Sequence, residues 1–102
     1  MYYDRDGKPI SFKQLIKLFD NEENRRIGRI ELPNGYTVST VWLGVDHSTD
    51  GPPLIFETMV FAPGDYNDLD LERYSTLDQA VAGHVAMVAK WQLMPTVDET
   101  HS

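Results

Sequence analysis

Two apolar stretches decide the fold: TVSTVWLGVDH at residues 37–47 and GPPLIFETMVF at residues 51–61. Both are rich in β-branched and aromatic residues, which favour strands. The connection between them is rich in Asp, Gly and Pro, which is typical of a turn. Neither stretch has a purely polar face, as expected for central strands that are covered on both sides. We therefore predict two central strands, at residues 36–45 and 54–61.

Further strands are predicted on either side of this pair. The pair Asn34 and Gly35 precedes the first central strand, and Asn-Gly favours a tight hairpin turn. Residues 25–32 would then form the strand that enters this hairpin. A shorter last strand is expected at residues 71–74, after an acidic loop.

Two helices are predicted, each from a start signal followed by apolar residues at helical spacing. Ser11 and Gln14 form the pattern of a capping box at the start of the first helix. Ser75 or Thr76 caps the second, whose apolar stripe has a period close to 3.6 residues. The residues of that stripe are Leu77, Ala80, Val81, His84, Val88 and Trp91, with Met87 beside it.

Together these elements predict an α+β fold, an antiparallel sheet of about four strands packed by two helices. The chain has 102 residues, which corresponds to one domain. We assign it to residues 1–95 and expect a flexible C-terminal tail at residues 96–102. Two helices can cover one face of the sheet. A homodimer would let a second copy cover the other face, and small domains often need such burial.

Composition excludes several classes of function. The net charge of −7 argues against direct nucleic-acid binding, which needs a basic surface, and suits a basic protein partner. The chain has no cysteine, so disulfides, thiolate metal sites and a cysteine nucleophile are excluded. No apolar run approaches the roughly 20 residues that span a bilayer, and the N-terminus does not resemble a signal peptide. We therefore expect a cytoplasmic protein with no membrane partner.

Glu57 is the polar residue that is hardest to explain by packing, because it lies within an apolar strand. A buried carboxylate needs a cation or hydrogen-bond donors, and Arg73 is the natural partner, with Arg25, Arg26 or Arg29 as alternatives. One interpretation is a structural ion pair. The other is a ligand pocket that combines aromatic faces with charged groups, as a nucleotide-like ligand requires. The predicted ligand-binding residues are Trp42, His47, Glu57, Arg73, Tyr74 and His84.

Both histidines of this set have a structural alternative. His47 follows a strand and has aspartates nearby. It either binds a ligand or acts as a base, or else it is simply part of a polar turn. His84 lies on the apolar stripe of the second helix. It is either a pocket histidine beside Gly83 or a core histidine with one hydrogen-bond partner, such as Glu57 or Thr58.

Metal and catalytic motifs are not found in the sequence. No histidine spacing suits a metal, and the acidic loop lacks the glycine and the glutamate that a calcium loop requires at its sixth and twelfth positions. No nucleophile elbow or phosphate-binding glycine loop is present. We therefore predict no cofactor, no metal and no catalytic residues.

Charged clusters provide the remaining candidates. Arg25, Arg26 and Arg29 form the only local basic cluster, which either contacts phosphate or balances the neighbouring glutamates. The predicted partner-binding surface is acidic and comprises Asp65, Asp68, Asp70 and Glu72.

The chain resembles a family of small proteins found in bacteriophage and prophage genomes. The resemblance covers most of the chain and rests on YDRDGKPIS at residues 3–11, VSTVWLGVDH at 38–47, GPPLIFETMVF at 51–61, RYST at 73–76 and AGH at 82–84. It departs from the family at residues 48–50 and 63–70. The resemblance implies no catalytic residue, and it implies a viral protein that acts in the host cytoplasm on host machinery.

Three functional hypotheses follow. The first is a non-enzymatic accessory protein that binds and inhibits a host protein, such as a defence nuclease. The second is a binder that sequesters a nucleotide-like small molecule in the pocket predicted above. The third is a small enzyme, for instance a hydrolase, although no nucleophile or metal spacing indicates one.

Overall fold

The computed structural model describes residues 1–46 and 50–96. Over these residues two short strands and two helices precede a four-stranded sheet, and a third helix follows it. In chain order the elements are β1 (Tyr2–Tyr3), β2 (Pro9–Ile10), α1 (Phe12–Phe19), α2 (Glu22–Arg25), β3 (Arg26–Glu31), β4 (Thr37–Trp42), β5 (Phe56–Phe61), β6 (Asp70–Tyr74) and α3 (Leu77–Trp91).

The large sheet is an antiparallel meander with the strand order β3-β4-β5-β6. This confirms the predicted α+β class and the predicted sheet. Both central strands are shorter than predicted. Strand β4 ends at Trp42, shortly before Gly44 adopts a positive φ of 72°, and β5 begins only at Phe56. Strands β1 and β2 form a separate two-stranded hairpin, which an isolated bridge between Tyr2 and Val45 ties to the rest.

The helices start where the sequence predicts. The side chain of Ser11 accepts from the backbone of Gln14 in a complete capping box at α1. Thr76, one of the two predicted caps, forms the equivalent box with Gln79 at α3. Helix α2 was not predicted, because it is a single turn whose cap, Asn21, lies in a polar segment.

The two faces of the sheet differ in what covers them. In β4 the residues alternate between buried and half-buried, and the buried set packs against α3. The helix-covered face carries Val38, Thr40, Trp42, Phe56, Thr58 and Val60, each with no exposed surface. No element of the described chain packs across the opposite face, which we call the open face. The sequence predicted that both faces of the sheet are covered. The homodimer in which a second copy would cover the open face stays a prediction.

The core under α3 is divided into two apolar clusters. One surrounds Trp42 and includes Leu15 of α1 and Ala80 of α3, and the other surrounds Val38, with Met87 of α3. Between them lie the buried polar residues of the helix-covered face. Val81, predicted on the apolar stripe, is 48% exposed because the stripe that faces the sheet is narrower than the sequence pattern suggests.

The helices are also too short or too polar to cross a bilayer, among the residues described. The predicted tail lies outside the described residues except for Thr96.

Candidate functional site

The six predicted ligand-binding residues do not form one pocket. Trp42, Tyr74 and His84 belong to the helix-covered face, whereas Glu57 and Arg73 belong to the open face. His47 lies outside the described residues. The shared pocket is therefore wrong, for a simple geometric reason. Successive side chains of a strand point to opposite faces, so Glu57 and its neighbour Thr58 cannot face the same helix.

Trp42 and Tyr74 are packing residues. Trp42 has no exposed surface, lies 5.4 Å from the Phe19 ring between centroids, and donates from Nε1 to the Tyr3 carbonyl oxygen at 3.2 Å. Tyr74 packs against Gly83 so closely that a Cβ there would overlap its ring. Burial raises the pKa of Tyr74 above its ordinary value.

His84 is held in a chain of buried hydroxyls. Its Nδ1 lies 2.7 Å from Thr40 Oγ1, which lies 2.6 Å from Thr58 Oγ1. Burial lowers the pKa of His84, so the neutral ring is favoured. The ring also packs against Gly28, where an added Cβ would lie 2.9 Å from Nε2. This arrangement matches the core-histidine interpretation, with Thr40 as the direct partner instead of Glu57 or Thr58.

The predicted ion pair between Glu57 and Arg73 is confirmed. Arg73 Nε lies 2.8 Å from Glu57 Oε2, and the two residues face each other across β5 and β6. The carboxylate side chain is 9% exposed and the guanidinium side chain is 37% exposed. Glu57 is therefore accounted for by a structural partner on the open face.

The four acidic residues of the predicted partner surface divide into two groups. Asp65, Asp68 and Glu72 are exposed. Asp70 faces inward, where Lys90 Nζ at 2.6 Å and Trp91 Nε1 at 2.9 Å bind one of its oxygens. These two hydrogen bonds lower the pKa of Asp70. Asp70 connects β6 to α3 through these hydrogen bonds, so we exclude it from the candidate partner-binding surface.

Apolar side chains are exposed among these acids, which the sequence reasoning missed. Tyr66 is 95% exposed, Leu69 is 48% exposed and Leu71 is 37% exposed. Strand β6 is also an edge of the sheet. The periodicity of residues 65–69 is too irregular to predict which way a loop side chain points.

The arginine cluster forms one side of a cleft at the end of the open face. The ladder between β3 and β4 contains a bulge between Arg26 and Gly28, so that Arg26 pairs with Val41 and Arg29 with Ser39. Residues three apart on a regular strand point to opposite faces. The bulge adds one residue and turns Arg26 and Arg29 to the same face.

This cleft, the arginine cleft, has a volume of about 360 Å³. It is lined by Phe19, Glu22, Arg25, Arg26, Arg29, Ser39, Val41, Trp42 and Leu43. Its only ion pair among the described residues joins Arg26 and Glu22, with 2.5 Å between Nη2 and Oε1. Sequence reasoning found the cluster but not the bulge, which depends on pairing with β4.

No family model matches this chain, and neither a curated protein nor a solved structure matches it. The resemblance to phage proteins therefore stays a prediction. Within residues 1–46 and 50–96, no three His, Asp or Glu side chains gather as they would around a metal ion.

Proposed function

We propose that the protein is a non-enzymatic binding protein that engages a basic protein partner through residues 65–72. One observation carries the proposal. This segment combines a fully displayed aromatic ring, Tyr66, with exposed acids on both sides of it, Asp65 and Asp68. The exposed leucines and Glu72 of the same segment continue to the β6 edge, where Leu71 and Glu72 point to opposite faces of the sheet.

The chemistry of the segment suits a protein interface. Tyrosine gives a large contact area at a low entropic cost and is enriched among residues that dominate binding energy. Surrounding carboxylates steer a positively charged partner and speed association. The free edge of β6 offers backbone groups that an extended partner segment can pair with. These features support a partner whose surface is basic and carries an apolar pocket.

The partner that we propose is a host protein, and binding inhibits it. A nuclease fits this chemistry because its nucleic-acid site is basic, so an acidic surface with an exposed ring would occupy the same groups as the nucleic acid. The resemblance to phage proteins supports a host target, and counter-defence is the role we propose. A nucleotide-like ligand in the pocket first predicted is less well supported, because its residues lie on two faces.

The test compares two charge-reversed variants of the full chain. One carries Asp65→Lys, Asp68→Lys and Glu72→Lys, and the control carries reversals at Asp20 and Glu23, which are exposed elsewhere. A partner is first recovered from host lysate on the unmodified chain, and its association rate is then measured at low and high salt. We expect at least a tenfold slower association for the first variant at low salt.

Tyr66→Ser is the companion variant, and we expect it to raise the dissociation rate with little change in the salt dependence. If the control reversals weaken binding as much as those of the segment, residues 65–72 are not the interface. Inhibition is tested separately, by titrating the chain into the recovered partner's own activity assay.

A further inference from the structure

We propose that the arginine cleft binds a phosphate monoester with a planar body, the chemistry of a mononucleotide. The phosphate would contact the guanidinium groups of Arg25 and Arg29, and the planar body would lie against Phe19, Val41 and Leu43. This site does not depend on the function proposed above, although Arg29 also lines a neighbouring cleft together with Asp65 and Tyr66 of the protein-binding segment.

The first argument is charge. The chain carries 16 acidic and 9 basic residues, not counting histidine, yet three of the nine lie within residues 25–29. Like charges held this close repel one another unless an anion lies between them. Glu22 is the one carboxylate that lines the cleft, and it pairs with Arg26. Two guanidinium groups of the cleft are left without a carboxylate partner among the described residues.

The second argument is the backbone. A bulge is a local defect in a ladder, and here it brings Arg26 and Arg29 together on the open face. The bulge leaves Ile27 without a partner on β4, and Gly28, which pairs with Thr40, lies against His84 on the other face. The regular pairing of β3 with β4 is therefore interrupted next to the position where the two arginines come to lie on one face. Ser39 is the β4 partner of Arg29 and also lines the cleft.

The third argument is Arg25. Its Nε is buried and has no hydrogen-bond acceptor, and its guanidinium lies 5.5 Å from the centre of the Phe19 ring. The ring contacts the guanidinium by a cation–π interaction, which leaves the terminal N–H donors for a ligand. A guanidinium group can bind phosphate oxygens in bidentate fashion.

The shape of the cleft fits the same ligand class. Small-molecule sites have volumes of about 300–1,000 Å³ and combine apolar walls with a few polar groups, and the arginine cleft has about 360 Å³. A larger cleft of about 490 Å³ lies at the start of α3, but Asp6 and Asp78 line it beside Arg5. Its carboxylates disfavour an anion, so the arginine cleft is the better site.

Calorimetric titration of the full chain at low ionic strength tests the proposal. The probes are the four ribonucleoside 5′-monophosphates, adenosine and inorganic phosphate. We expect saturable one-to-one binding of at least one monophosphate, with adenosine at least tenfold weaker and inorganic phosphate also weaker. Arg29→Gln should weaken that binding about tenfold or more, because it removes a charge-assisted hydrogen bond. Arg29 is exposed, so the variant should fold.

Glu22→Gln is the most informative variant, because it releases Arg26 from its ion pair. We expect it to tighten monophosphate binding several-fold, a gain that misfolding cannot produce. Arg5→Gln is the matched control, since it removes one guanidinium from the other cleft. The proposal is overturned if no monophosphate binds saturably, if adenosine binds as well as the monophosphate that binds best, or if Arg5→Gln weakens binding more than Arg29→Gln.

Discussion

The two faces of the sheet use neighbouring residues of the same strands in different ways. On the helix-covered face, Trp42 and Thr58 have no exposed surface and all their partners lie within the chain. On the open face, Val41 is half-buried and Glu57 is matched with Arg73. The comparison teaches that the buried residues of the helix-covered face contribute most to the stability of the fold. The open face can accommodate charged side chains, because they remain in contact with solvent.

The largest difference is expected between Trp42→Ala and Val41→Ala. Trp42→Ala should lower the free energy of unfolding by about 3–5 kcal/mol, because it empties the centre of one core cluster. Val41→Ala should cost about 1 kcal/mol or less, because the residue is half-buried. Urea denaturation measures both values. Comparable losses at the two positions would show that the open face is covered in solution, as a homodimer would cover it.

Gly83→Ala tests how closely α3 approaches the sheet. Helix propensity alone predicts a gain of about 1 kcal/mol for this change. We expect a loss of about 1–3 kcal/mol instead, because the new Cβ would overlap the Tyr74 ring. Ala82→Gly, at the exposed neighbour, is the control and should lose about 1 kcal/mol from propensity. A stabilised Gly83→Ala protein would mean that α3 lies farther from β6.

Removing Arg73 and removing Glu57, the two partners of the ion pair on the open face, should lower the free energy of unfolding by unequal amounts. Arg73→Gln leaves the nearly buried Glu57 carboxylate without its cation and should cost about 1–3 kcal/mol. Glu57→Gln leaves only the more exposed guanidinium unpaired and should cost about 1 kcal/mol or less. Thermal denaturation of both variants and the double variant gives the coupling energy. Equal costs would indicate that Glu57 is as well solvated as Arg73.

The smallest expected effect is a pH dependence from His84. Its pKa is lower in the folded chain than in the unfolded chain, so folding favours the neutral ring. The contribution is complete above about pH 6.5, the unfolded value, and is lost as the pH falls through the folded pKa. The slope is at most about 1.4 kcal/mol per pH unit. Denaturation at several pH values between 7.5 and 5.5 should show this slope, and His84→Gln should flatten it. An unchanged slope in His84→Gln would assign the effect to another group.

Much of the fold was readable from local patterns. The capping box at Ser11 and the cap predicted at Ser75 or Thr76 mark the helix starts correctly, because these signals depend on residues close together in the sequence. The pairing of Glu57 with Arg73 was also predicted, because a buried carboxylate in an apolar strand requires a cation. The candidate pocket failed at the next step, since Glu57 lies on the face of β5 opposite to the one that α3 and His84 cover, and the sequence alone did not show which face that is.

The sequence by itself determined the four strands of the large sheet, the two longer helices, their order and the antiparallel α+β class, because caps, turns and strand propensity act over a few residues. Only the tertiary structure decided which residues meet. The contact of His84 with Thr40 spans 44 positions, and the alignment of Arg26 with Arg29 needs a bulge that forms against β4. Such contacts depend on register and helix approach, which are set by packing across the whole domain and not by any single stretch.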